Sequence, residues 1–221
     1  MDEKSYIDLL TKKEDLHPDL RASITTRHGT IMLHHPLVIN VFYTPEQNAF
    51  INKQYEYKVK AVTQAKQNKD WSFYILLHER PYRLEALLAI LPYLNKEKTN
   101  KLVKDVWVDS ESPHANIKVW RNLWSLTEDA GKKSKAFKDL PDLVTIYRGI
   151  KRLENKRNYG ISWTLSEKTA EFFARRFMPP LSYILKAKVN KSNITALIED
   201  RGETEVIVIK SIKQVEVKKL V

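Results

Sequence analysis

The sequence predicts an α+β chain, with a mainly helical region over residues 1–130 followed by a mainly β region over residues 136–221. Three observations carry that division. Before residue 125, apolar residues recur at helical spacing behind capping signals; after residue 143, the period becomes that of extended chain. Between the two lies a polar stretch, Glu128-Asp129-Ala130-Gly131-Lys132-Lys133-Ser134-Lys135, which marks the expected boundary.

In chain order, residues 22–42 suit a hairpin turning at His28-Gly29, with Ile31, Leu33 and Val38 to Phe42 in its strands. Thr44-Pro45-Glu46-Gln47 supplies an N-cap, a first-turn proline and a capping-box glutamine, and Phe50, Ile51, Tyr55, Val59 and Val62 follow at helical spacing. Asp70 can cap a helix from Trp71 to His78. Pro81 can start another that carries Leu84, Leu87, Leu88 and Leu91 and ends or kinks at Pro92. Further helices are expected near 96–108, with Leu102, Val106 and Trp107, and after Pro113, with Ile117, Trp120, Leu123 and Trp124. These aromatics lie on apolar stripes, which points to core rather than to a base-stacking surface. In the second region, strands are expected at 143–149, 160–165, 182–190, 194–198, 204–209 and 212–217. One helix is expected near 165–177, opened by a capping box at Thr164-Leu165-Ser166-Glu167, with Ala170, Phe173, Ala174 and Phe177 inward.

Composition removes several function classes. No apolar run is long enough to span a bilayer, and Met1-Asp2-Glu3-Lys4 is not the start of a signal peptide, so a cytoplasmic location is expected. The absence of cysteine excludes disulfides, thiol nucleophiles and Cys-based zinc sites. The six histidines show no metal-ligand spacing, and no phosphate-loop or dinucleotide glycine motif occurs, so no metal is expected. The net charge of +11 is concentrated in the last third, where residues 141–221 hold 16 Lys and Arg against 9 Asp and Glu. That excess favours an anionic ligand or nucleic acid, or else is a solvated lysine-rich surface.

Three short segments carry chemistry: Tyr147-Arg148-Gly149 at the end of a strand, Ser162-Trp163-Thr164 before a helix, and Glu203-Thr204-Glu205 after the turn Glu199-Asp200-Arg201-Gly202. A planar, multidentate cation such as Arg148 suits a diphosphate. A carboxylate such as Glu205 suits a ribosyl centre that gains positive charge as a bond breaks. If the strand has already begun, Glu203 and Glu205 project to one side of it. Alone, each segment has a plain reading: a surface arginine, a helix cap, or paired acids that aid solubility.

In this order, the segments from about 143 to 209 resemble the NAD-binding core of the Arg-Ser-Glu class of ADP-ribosyltransferases. The central Trp163 departs from the usual Ser-Thr-Ser. The resemblance implies a two-sheet core with a cleft for NAD, lined by Tyr147, Arg148, Gly149, Ser162, Trp163 and Thr164. Arg148 would hold the phosphates or ribose, Ser162 would steady the acid, Glu205 would be that acid, and Glu203 would act on the acceptor. It further implies a mono-ADP-ribosyltransferase similar to the toxins of bacterial toxin-antitoxin or phage-defence systems, with NAD as co-substrate and an antitoxin as a natural partner. The charge points to a nucleic-acid acceptor, RNA before DNA, with Lys151, Arg152, Lys156 and Arg157 placed to track phosphates. Three alternatives stay open: a protein arginine as acceptor, an NAD glycohydrolase, and a non-catalytic nucleic-acid-binding protein on a decayed transferase fold.

Overall fold

The computed structural model describes residues 13–111, 113–127, 131–152, 159–176 and 181–220. The chain is mixed α/β with two antiparallel sheets, and it divides into compact units Met1–Tyr93 and Leu94–Val221. No helix among the described residues is long and apolar enough to cross a membrane.

In the first unit, α1 (Pro18–Arg21) leads into a three-stranded sheet of β1 (Ile24–Arg27), β2 (Thr30–His35) and β3 (Val38–Asn40). The hairpin between β1 and β2 turns where expected, with positive φ at His28 (49°) and Gly29 (76°), the pairing a tight type I′ connection needs. A single 3₁₀ turn at Pro45–Gln47 then enters α2 (Asn48–Gln67), and Gln47 Oε1 accepts from the Thr44 backbone N–H at 3.2 Å to close the expected capping box. Asp70 caps α3 (Trp71–Leu77) by accepting from the Phe73 N–H at 3.1 Å. Helix α4 (Arg83–Ile90) follows, and a 3₁₀ turn at Leu91–Tyr93 containing Pro92 ends it. Leu16, Leu20, Leu33, Val38 and Ile51 form this unit's buried cluster.

The second unit begins with α5 (Lys96–Asp109) and α6 (Ile117–Ser125), so the boundary lies before these helices and not at the polar stretch near 130. The reason is contact made by side chains: Lys104 of α5 pairs with Asp200, and Arg121 of α6 donates to the Ile209 carbonyl. Both helices are therefore tied to the β region. After α7 (Lys135–Lys138) come β4 (Leu143–Ile150), β5 (Ser162–Thr164), α8 (Glu167–Arg175), β6 (Ser182–Asn190), β7 (Ala196–Ile198), β8 (Glu205–Ile207) and β9 (Val215–Leu220). The last strand starts later than the expected 212–217, and Phe177 lies outside the described residues.

The six strands of this unit hydrogen-bond as one antiparallel sheet in the order β7-β8-β5-β4-β6-β9, where two sheets were expected. Its middle is nearly open. β4 pairs with β6 along its whole length, from Leu143↔Asn190 to Ile150↔Tyr183, yet shares only Tyr147↔Thr164 with β5. Two three-stranded halves thus meet at one residue pair. Val144, Ile146, Trp163, Leu185 and Val206 are each at most 2% exposed and pack as one cluster spanning both halves, so burial rather than backbone pairing holds the halves together.

Candidate functional site

The site forms where β4 and β5 part. Past the Tyr147↔Thr164 pair, an antiparallel ladder would continue by joining Arg148 and Gly149 to Trp163 and Ser162, but no such pairs form. Instead, Arg148 Nη1 donates to the Ser162 carbonyl at 2.5 Å, so a side chain supplies what a neighbouring strand would have given. Gly160, at φ +79°, makes room for this arrangement: a Cβ there would lie 2.9 Å from both Cζ and Nη2 of Arg148. Gly149 has a different task. A Cβ on it would lie 2.0 Å from the Ala170 carbonyl oxygen and 2.5 Å from the Ala174 nitrogen, so α8 can press onto β4 only because no side chain intervenes.

Helix α8 begins two residues later than the sequence suggests. Ser166, not Thr164, is the N-cap, its Oγ accepting from the Thr169 N–H at 3.1 Å. Thr164 Oγ1 accepts from the Ser166 N–H at 3.2 Å, so it shapes the turn before the helix. Ala170 and Ala174 face inward as expected, Phe173 is half-buried, and Phe172 stays exposed.

Glu205 opens β8, and the register Thr164↔Glu205 brings it beside β5. Ser162 Oγ donates to its Oε1 at 2.5 Å, and Trp107 Nε1 donates to Oε1 and Oε2 at 3.1 Å each. Burial pushes the Glu205 carboxyl above its ordinary range; the bonds from Ser162 and Trp107 and the charge of Arg148 oppose this, while Glu203 adds to it. Glu203 is itself extended and half-buried just before the strand. All these residues line one cleft of about 800 Å³.

Of the residues singled out in the sequence, Tyr147, Arg148, Gly149, Ser162, Trp163, Thr164, Glu203 and Glu205 border this cleft together. Trp163 does so from the core, at 2% exposure, and its buried Nε1–H meets no acceptor among the described residues. Lys151 and Arg152 are exposed and border the same cleft, as does Arg176 at the end of α8. Lys156 and Arg157 lie outside the described residues. Trp107 is the residue the sequence reading missed. It sits on an apolar helical stripe like its neighbours, and only the need of a buried indole N–H for an acceptor hints at a second task.

Chemically, the site offers an acid held by two uncharged donors, a second acid nearby, and a guanidinium across a half-enclosed cleft. Such a set can stabilise a positive centre next to an anionic group. Compared with protein-family models, curated proteins and solved structures, the chain finds no match.

Proposed function

We propose that this chain is a mono-ADP-ribosyltransferase that takes NAD as co-substrate, releases nicotinamide and transfers ADP-ribose to a nucleic acid, RNA before DNA. The observation that carries the reading is the Ser162 Oγ bond to Glu205 Oε1, 2.5 Å long, in a cleft that Arg148 also lines. Serine-steadied carboxylate and arginine are the pair that the Arg-Ser-Glu resemblance calls for.

NAD fits the residues present. A volume of about 800 Å³ suits a ligand of that size, small-molecule clefts running from roughly 300 to 1,000 Å³. Under this reading Arg148 binds the phosphates or ribose, and the Glu205 carboxylate offsets the positive charge that develops on the nicotinamide ribose as nicotinamide leaves with the bonding electron pair. The acceptor's nucleophile bonds to the same carbon, and Glu203 receives its proton. Lys151, Arg152 and Arg176, bordering the same cleft, favour an acceptor with phosphates.

The test is incubation of the purified protein with NAD labelled in its adenylate part, together with RNA, DNA or cell lysate. Label on RNA is the expected result, with transfer weakening as salt rises, each neutralised phosphate contributing roughly 0.7 to the slope of log affinity against log salt. Label confined to protein in lysate would replace the acceptor with a protein arginine. Free ADP-ribose alone would make the chain a glycohydrolase, and unchanged NAD would end the enzymatic reading.

A further inference from the structure

Helix α5 reaches the segment that carries the two acids twice. Lys104 Nζ meets Asp200 Oδ2 at 3.0 Å, in the turn before Glu203. Trp107, three residues along and so on the same helix face, donates its Nε1–H to both Glu205 oxygens at 3.1 Å each. The indole is not free to follow the carboxylate. Its ring is 3% exposed and meets Trp120 edge-on at 5.0 Å and 86°, and Trp124 at 5.8 Å and 75°. Those two partners, on α6, are themselves at most 1% exposed.

The two donors to Glu205 constrain it differently. Ser162 bonds Oε1 through a hydroxyl whose own bond can rotate. A donor equidistant from both oxygens shares its N–H between them, which fixes where the head of the carboxylate sits without favouring either oxygen, and it makes a charge-assisted bond when the acid is ionised. Simple packing of a tryptophan does not require this geometry, since one oxygen would satisfy the N–H.

We infer that Trp107 is a positioning residue for Glu205, so that α5 is part of the working site although it lies outside every motif. Its role in turnover rests on the proposed transferase reading; the contact itself does not. The Trp107 ring presents a fixed N–H to the acid, and Lys104 holds the preceding turn through Asp200. Besides Ser162 and Trp107, the groups acting on the Glu205 charge are Glu203 and Arg148.

The experiment uses the full chain labelled with ¹³C at glutamate carboxyl carbons and ¹⁵N at tryptophan indoles. In the wild type, the Trp107 Nε1–H and the Glu205 carboxyl carbon should titrate with one common midpoint. Trp107→Phe keeps most of the ring but removes the donor to the charged form, and should raise the Glu205 midpoint by about one pH unit. Nicotinamide release should then fall by up to about tenfold at pH values below the wild-type midpoint and recover above the shifted one, with the KM for NAD little changed. Trp120→Phe, which alters the same aromatic cluster but not the contact to Glu205, should leave the midpoint in place.

An unmoved midpoint in Trp107→Phe, an equal move in Trp120→Phe, or separate midpoints in the wild type would each overturn the inference. If Trp107→Phe does not fold, the wild-type co-titration decides alone. A wild type that leaves NAD intact would remove the enzymatic reading, while the titrations would still settle whether Trp107 holds Glu205.

Discussion

The two compact units use their polar side chains to different ends. In Met1–Tyr93, such groups serve the fold. Some do so within a few residues, where Asp70 caps α3, Gln47 closes the box at Thr44 and the Tyr43 hydroxyl donates to Asn48 at 2.5 Å. Others act across the unit, where the Tyr55 hydroxyl donates to Asp19 at 2.9 Å and the Tyr82 hydroxyl to the His34 carbonyl at 3.1 Å. In Leu94–Val221, polar groups from distant parts of the chain converge on a cleft, and one of them, Glu205, sits where burial opposes its charge. A group held against its own solvation marks a functional site more readily than a structural one. The contrast teaches where altering a side chain should change chemistry and where it should change only stability.

The largest expected effect is that of Glu205→Gln. It keeps side-chain size but removes the charge, and transfer should fall on the order of a hundredfold or more. Its stability should move the other way. Because the folded-state pKa of Glu205 is raised above the ordinary 4.5, its contribution to stability is fully present below that value and is lost as pH rises through the folded pKa. Glu205→Gln should therefore melt above the wild type at neutral pH, with the gain vanishing below about pH 4.5. Equal melting at every pH would mean that the carboxylate is not held against its charge.

Glu203→Gln sharpens the division within the site. It should lose most transfer while keeping slow NAD hydrolysis, as measured by ADP-ribose on the acceptor against ADP-ribose in solution; equal loss of both would remove the separate role of Glu203.

Gly149→Ala tests the close approach of α8 to β4. A Cβ 2.0 Å from the Ala170 carbonyl oxygen forces the helix outward, and denaturant unfolding should show a loss of about 1–3 kcal/mol. The smallest change belongs to the other unit. Asp70→Ala removes the cap of α3 and should cost about 1 kcal/mol, leaving nicotinamide release unaltered. Altered release at unchanged folding would break the comparison between the units.

How much of this could be read in the sequence follows the same divide. The turn at His28-Gly29, the cap at Asp70 and the box at Thr44 to Gln47 were readable because each is complete within a few residues. The strands of the second unit were readable by period, but the single pair joining β4 to β5 was not, since a ladder that stops leaves no mark in either strand. Ser162 and Glu205 were singled out by the order of motifs, and their contact spans 43 residues. Trp107 meets Glu205 across 98 residues, from a helix whose stripe reads as core, and nothing local distinguishes it from Trp120 or Trp124. The helix start at Ser166 was missed because Thr164-Leu165-Ser166-Glu167 satisfies the capping-box pattern, while the sheet register holds Thr164 in β5.

The most direct measurement of the central claim is nicotinamide release from NAD by the purified wild type, followed by chromatography beside Glu205→Gln at equal concentration. The account predicts steady release by the wild type, rising with pH as Glu205 ionises, and release by the variant lower on the order of a hundredfold. Intact NAD in the wild-type reaction, or equal release by both proteins, would contradict it.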